Sequence, residues 1–372
     1  LSSAQLAANH PVSGGTYEYG YRFIGSYFGF SAGWMFMIAK SASAATAVLG
    51  CIGYLFYALE IDVSHTTFIL ASLALLIIVT FLVSGGISRS NSANKVVVIV
   101  TLAGLATLII ASMVTNGFPN EPIKLALDDT SSSAILYGAA LMFVAFTGYG
   151  RIATLGEEVF EPRKTIPKAI ILTMILIVFL YLLVALTALN VMGAYAFGET
   201  VDGEAAPLMV VAQALYIPYV GPIVSFAAIT AMLGVLLNLI LGLSRVLLGM
   251  ARRRDVPFIL SRINPKTKSP VPAVLVSSAI IGVLVASGDV IFTWSFSAFT
   301  VLIYYSITNL SALMIPKEMQ LYPKWIPSLG LFGCLFLAFW IDPKIWFSGL
   351  ILLGFGLIWH TITLRMQLTK DL

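Results

Sequence analysis

Apolar residues along the chain fall into long unbroken blocks divided by short polar clusters, not into the alternating or one-in-three patterns of half-buried elements. Uncharged stretches cover 64–88, 96–120, 130–150, 169–198, 205–244 and 345–364, and between Ser269 and Pro316 the only charge is Asp289. Each reaches or exceeds the ~20 residues that an α-helix needs to cross a hydrocarbon core. Cutting at charges, Pro/Gly turns and Asn/Ser clusters predicts ten full spans: 26–57, 66–88, 95–115, 133–158, 167–192, 219–250, 271–287, 290–314, 326–341 and 344–364. Leu1–Asn9 reads as the tail of an earlier helix. The block 206–216, short and closed by Pro218, reads as a re-entrant or surface helix.

Composition sharpens this picture. Of 372 residues, 59% are apolar and 10% charged, with a mean hydropathy of +0.95. A soluble domain carries about 25% charged residues, so these are too few to cover a globular surface. The chain reads as an all-α, polytopic membrane protein. That excludes a soluble enzyme, a nucleic-acid-binding protein and a β-barrel, whose strands would alternate. Cys51 and Cys334 lie inside apolar runs, so no disulfide framework, metal cluster or cofactor is expected. The first residue is not Met and no cleavable signal precedes the first span, which suggests a missing start.

Basic residues mark topology. One set of alternate loops and ends holds Arg22, Arg89, Lys95, Arg151, Arg163, Lys164, Lys168, Arg245, Arg252, Arg253, Arg254, Arg262, Lys266, Lys268, Lys317, Lys324, Arg365 and Lys370, which is 18 of the 21 Lys and Arg residues. The opposite set holds only Lys124 and Lys344, and Lys40 lies within a span. The rule therefore places residues 1–25 and the C-terminus in the cytoplasm, within a multi-pass protein of the cell membrane. Trp325, Trp340, Trp346 and Trp359 lie near span ends, where interface anchors are expected.

The most informative stretch runs from Phe143 through Phe146, Thr147, Gly148, Gly150, Arg151, Glu157 and Glu158 to Pro162, Arg163, Lys164 and Pro167. Two glycines and a threonine interrupt a span near mid-membrane. A broken helix leaves peptide groups unpaired, which lipid tolerates only where they line a protected cavity. Carbonyls ending the outer half-helix suit an ammonium, and N–H groups opening the inner half suit an anion. The same residues also suit an intact helix with packing glycines, and spacing alone leaves both open.

This segment resembles the sixth helix and following loop of the amino acid–polyamine–organocation transporters: aromatic-x-x-Phe-x-Gly, a Glu-Glu pair, then Pro-x-Lys/Arg-x-Ile-Pro. Two further blocks are similar to the same family. Pro11-Val-Ser13-Gly14-Gly15-Thr-Tyr17-Glu-Tyr19, with Gly25 and Gly33-Trp34, matches its loop and third-helix start. Ser244-Arg245, Met250-Ala251-Arg252, Pro257 and Pro270-Val271-Pro272-Ala273 match its eighth helix, loop and ninth helix. The resemblance implies one permease domain over residues 1–372. Residues 1–25 would end helix two and its loop, 26–364 form helices three to twelve, and 365–372 a tail.

The family fold is two inverted five-helix repeats with broken first and sixth helices. The first helix would lie upstream of Leu1, so the 372 residues alone are expected to hold half a ligand clamp and not to transport unaided. By resemblance that half is Phe143, Val144, Ala145, Phe146, Thr147 and Gly148, continued by Tyr149 and Gly150. Backbone carbonyls would hold the substrate ammonium, with Phe143 and Phe146 walling or gating the pocket.

Lys40 lies about 13 residues, or ~20 Å, into its span, too deep for simple snorkelling. An ionised side chain there costs several kcal/mol unless paired or hydrated. A lysine that gains and loses a proton could couple transport to a proton gradient; a static lysine on carbonyls is the other reading. The chain departs from the family at two places. Thr101 stands where some proton-coupled members carry a lysine, and Gly150 where many carry an acid. Glu157 and Glu158 at a helix C-terminus, with Arg163 close behind, could pair at a cytoplasmic gate or form a solvated loop. Asn238 and Asn309 read as helix bridges, and His360 as peripheral packing.

The expected function is secondary transport of an amino acid, a neutral one because the half-site holds no fixed acid. H⁺ is favoured over Na⁺ as the coupling ion, and exchange without any ion stays open. The partners expected are that substrate and the bilayer, with no nucleic acid; oligomeric state is not legible. The competing reading is a non-transporting sensor, partner subunit or degenerate fragment on the same scaffold.

Overall fold

The computed structural model describes residues 1–10, 14–86, 91–117, 131–149, 159–203 and 206–368, and every regular element among them is helical. The α-helices are, in chain order, α1 (Ser2–Asn9), α2 (Thr16–Phe23), α3 (Ser26–Ala58), α4 (His65–Ser84), α5 (Asn91–Asn116), α6 (Ser132–Met142), α7 (Pro162–Met192), α8 (Ala194–Gly203), α9 (Pro207–Gln213), α10 (Val220–Arg252), α11 (Val271–Val285), α12 (Val290–Met314), α13 (Trp325–Ala338) and α14 (Pro343–Leu368). A 3₁₀ stretch, Phe143–Tyr149, continues α6 without a gap.

Several boundaries have a clear local cause. The Ser64 and Ser131 hydroxyls accept the amides of Thr67 and Ala134 at 3.2 and 3.3 Å, and the Asp289 carboxylate accepts the Phe292 amide at 2.9 Å. Each cap satisfies an amide that the first helical turn leaves free. α7 begins at Pro162, five residues before the predicted start, because a proline at the first helical position lacks only an amide that needs no ladder partner. Pro167 is carried inside the helix.

Ten apolar helices occupy the ten predicted regions, and they differ in length. Eight are long and apolar enough to span, counting α6 together with its 3₁₀ extension. α11 and α13 have 15 and 14 residues, about 21–23 Å of helix against a ~30 Å hydrocarbon core. α11 stops at a turn where Gly288 takes φ +65°. α9 is a seven-residue helix laid against α10, where Ser225 donates to Met209 Sδ, so 206–216 does not cross.

α3 and α12 form the buried centre, with α10 on the other side of α3. Their contact is a seam of small and hydroxylated residues. Ser43 and Ser297 hydroxyls meet at 2.8 Å, Thr46 donates to Thr293 at 2.9 Å, and Ser297 donates to the Ala39 carbonyl at 3.0 Å. Small residues let two backbones approach where lipid offers no hydrophobic drive. α7 instead turns Leu172, Ile175, Leu176 and Phe179 outward, an apolar face suited to acyl chains. Asn238 donates to Asn94 on α5, and Asn309 accepts from Ser2 on α1, so both bridge helices. The Trp359 indole donates to the Asp255 carbonyl at 2.9 Å. One residue differs from expectation. His360 is fully buried and not peripheral, its ring stacked on Phe30.

Candidate functional site

The α-helical ladder of α6 ends at Met142, and the next seven residues wind as a 3₁₀ helix. Runs of that length are uncommon. From Ser132 to Phe143 is eleven residues, about 17 Å along the axis, so the change falls near mid-bilayer. Thr147 supplies one local cause: its hydroxyl donates to the Val144 carbonyl three residues back, at 2.8 Å. The change comes earlier than the two glycines suggested.

Side chains from three other helices then converge on this segment. Lys40 of α3 donates its ammonium to Thr147 Oγ1 at 3.0 Å. Tyr305 of α12 donates to the Thr147 carbonyl at 3.2 Å, and Tyr181 of α7 to the Ala145 carbonyl at 2.9 Å. Trp294 of α12 donates its indole N–H to the Leu141 carbonyl at 3.0 Å. Thr147 is therefore a relay: its hydroxyl accepts from an ammonium, donates to one carbonyl, and its own carbonyl holds a phenol. Among the described residues no carboxylate pairs with Lys40, so its charge is met by a neutral oxygen alone.

The aromatic residues of the segment pack in two groups. Phe143 meets Tyr305 edge-on with centroids 5.6 Å apart, Phe146 meets Tyr181 at 5.2 Å, and Tyr149 leans on Tyr305 at 5.7 Å. Val144 is buried, whereas Gly148 is exposed and a methyl added there would meet nothing within 4 Å. The segment is thus packed on one side and open at Gly148. Gly150, Glu157 and Glu158 lie outside the described residues. Arg163 stands exposed in the first turn of α7, where its neighbour Lys164 pairs with Glu161 at 3.3 Å between two exposed side chains. Thr101 bonds back to the Val97 carbonyl of its own helix at 2.8 Å. No group of three or more potential metal ligands occurs among the described residues.

Tyr181, Tyr305 and Trp294 could not be found from the sequence as partners of this segment. A buried phenol or indole needs a hydrogen-bond partner, which flags such residues. Nothing in a linear pattern says which carbonyl they reach.

Comparison with known proteins agrees with this architecture. The family profile described as amino acid permease matches residues 1–365. An uncharacterised transporter of Mycobacterium tuberculosis is 36% identical over 96% of this chain and 78% of its own length. The branched-chain amino acid permease BcaP of Bacillus subtilis is 25% identical over 91% of this chain and 76% of its own. The serine/threonine exchanger SteT of the same organism is 25% identical over 90% and 78%. A bundle of helices among the described residues, eight of them long and apolar enough to span a membrane, a 3₁₀ segment in the sixth-helix region, and a family match over nearly the whole chain lead to one conclusion: this chain is an integral, multi-pass membrane transporter belonging to the amino acid permease family.

Proposed function

We propose that the protein is a secondary active transporter of neutral amino acids, working by alternating access around the 3₁₀ segment and driven by protons through Lys40. The observation that carries this reading is the Lys40–Thr147 contact, which joins an intramembrane ammonium to the segment where the helix changes winding. An ionisable residue within a span is costly and marks a functional site by default. When Lys40 is charged it holds Thr147; when neutral it lets the segment go. Proton occupancy and backbone winding are thereby linked.

Phe143, Val144, Ala145, Phe146, Thr147, Gly148, Tyr149 and Gly150 form the substrate half-site in this reading. A substrate ammonium approaches past Gly148 and takes a carbonyl that a tyrosine now occupies. The hydrogen bonds that Phe143–Tyr149 receive from Lys40, Tyr181 and Tyr305, and the one from Thr147 within the segment, involve no carboxylate, which favours an uncharged side chain on the substrate. Glu157, Glu158 and Arg163 act at a gate on the side of the basic loops, taken as the cytoplasmic face of the cell membrane. In proteoliposomes of the full-length protein with acid outside, labelled branched-chain or hydroxylated neutral amino acids should accumulate, and arginine or glutamate should not compete. Saturable binding with no accumulation and no exchange would replace the transporter reading with a sensor.

A further inference from the structure

Far along α3 from Lys40, at the end marked by the basic loops, a second buried polar cluster has no part in the chemistry above. Its centre is Asp255, just past the end of α10 and 3% exposed. Arg254 before it takes a left-handed φ of +64°, turning the chain so that the Asp255 amide bonds the Met250 carbonyl at 2.9 Å and its side chain points inward. Tyr17 and Tyr21, one turn apart on α2, donate their hydroxyls to Asp255 Oδ2 at 2.6 and 2.7 Å. Tyr21 also reaches Oδ1 at 2.8 Å. On the open side of Oδ1, His360 of α14 places Nδ1 at 3.4 Å.

The imidazole is 0% exposed, stacked on Phe30 at 4.5 Å and flanked edge-on by Tyr27 at 5.2 Å. Neither ring nitrogen has a hydrogen-bond partner among the described residues. Buried polar atoms are rarely left so.

The charges facing this cluster can be named element by element. α2 brings Glu18, which pairs with Arg253 at 2.7 Å, and the exposed Arg22. The α10 end brings Arg252, Arg253 and Arg254, of which Arg253 covers Tyr21 and Tyr17 at 4.2 and 5.5 Å. α3 brings the Tyr27 phenol, whose ring lies edge-on to the imidazole, and α14 brings Arg365. Glu18 pairs with Arg253, and a proton on His360 would give Asp255 a charged partner at 3.4 Å.

We propose that Asp255 and His360 form a proton-binding site that fastens helix α2 to the ends of α10 and α14. Uptake of a proton at the imidazole turns the 3.4 Å approach into a charge-assisted hydrogen bond, the stronger class of such bonds. The same carboxylate holds both α2 tyrosines, so the proton tightens the attachment of the segment that joins α1 to α3. This site is separate from Lys40, and its test does not require transport.

The chain has only three histidines, His10, His65 and His360, so selective ¹⁵N-histidine labelling gives three imidazole signals, assigned by H360Q and H10Q. The His360 signal should titrate as the pH is lowered, with a midpoint at least one pH unit lower in Asp255→Asn. Hydrogen exchange of the Thr16–Phe23 amides, corrected for intrinsic rate, should slow at least threefold from pH 7.5 to 5.5 in the protein and stay flat in His360→Gln. The exchange arm decides the matter should Asp255→Asn fail to fold. A His360 signal that does not move, a midpoint unchanged in Asp255→Asn, or α2 exchange with the same pH response in His360→Gln would overturn the proposal.

Discussion

Replacing Thr147 by valine removes one oxygen and leaves a side chain of similar shape. Thr147 is 6% exposed, and its hydroxyl is the atom on which the Lys40 ammonium rests at 3.0 Å. A hydrogen bond to a charged group contributes about 1.5–3 kcal/mol. Water cannot readily replace it at a site this enclosed. If proton-driven uptake passes through the charged Lys40 state held on Thr147, that loss corresponds to a fall of about 10- to 150-fold in rate. The valine also deprives the Val144 carbonyl of its 2.8 Å side-chain donor and loosens the 3₁₀ winding. The assay is the initial rate of uptake of a labelled neutral amino acid into proteoliposomes with acid outside, normalised to monodisperse protein. Thr147→Ser keeps the hydroxyl and should stay within about threefold. A Thr147→Val rate within twofold of the parent, or a Thr147→Ser rate falling equally far, would refute the reasoning.

Other consequences concern packing and alkaline stability. A methyl at Gly330 would lie 2.5 Å from Asn309 Oδ1, and Asn309 cannot retreat because Ser2 and the Tyr305 carbonyl hold it at 2.6 and 2.9 Å. Gly330→Ala should therefore lower thermal stability in detergent by about 1–3 kcal/mol of overpacking. Gly354→Ala, which meets nothing within 4 Å, should not lower it; equal midpoints for the two variants would contradict this. Burial first, and then the Asp255 charge, raises the Tyr17 and Tyr21 phenols above their ordinary value. Unfolded chains release these protons near pH ~10 while the folded protein keeps them, so their contribution is whole below that pH and is lost above it. Unfolding midpoints should drop from about pH 9.5 to 11, and drop less in the Tyr17→Phe, Tyr21→Phe double variant; an equal drop would rule the tyrosines out.

The helical layout was legible because lipid forces it. Charges are expelled from each crossing, so gaps between charges print the spans directly onto the sequence. Helix length near turns was less legible. Gly288 and Asp289 end α11 and start α12 by local geometry, and apolar residues on both sides of that turn hid how short α11 is. The segment at Phe143–Tyr149 was findable from its glycines and threonine, but its winding was not. It depends on Tyr181 and Tyr305, 36 and 158 residues from the carbonyls they reach.

Lys40 stood out as a lone charge in an apolar run, whereas its partner Thr147, 107 residues away, did not. The Asp255 cluster shows the limit most clearly. Tyr17, Tyr21, Asp255 and His360 come from three distant parts of the chain, and no periodicity links them. His360 read as peripheral because it lies near the end of a span, yet it is fully buried, with its ring stacked on Phe30 and edge-on to Tyr27 of α3.

The most direct test follows substrate and protons together in one vesicle. Proteoliposomes carrying an internal pH dye are given an acid-outside gradient and a labelled neutral amino acid, for the full-length parent protein and for its Lys40→Met variant. The parent should concentrate the amino acid while its lumen acidifies in step. Lys40→Met should lose both, yet still exchange labelled for unlabelled substrate across the membrane. Gradient-driven accumulation undiminished in Lys40→Met would contradict the assignment of the proton to Lys40 and, with it, the link between that charge and the rewound helix.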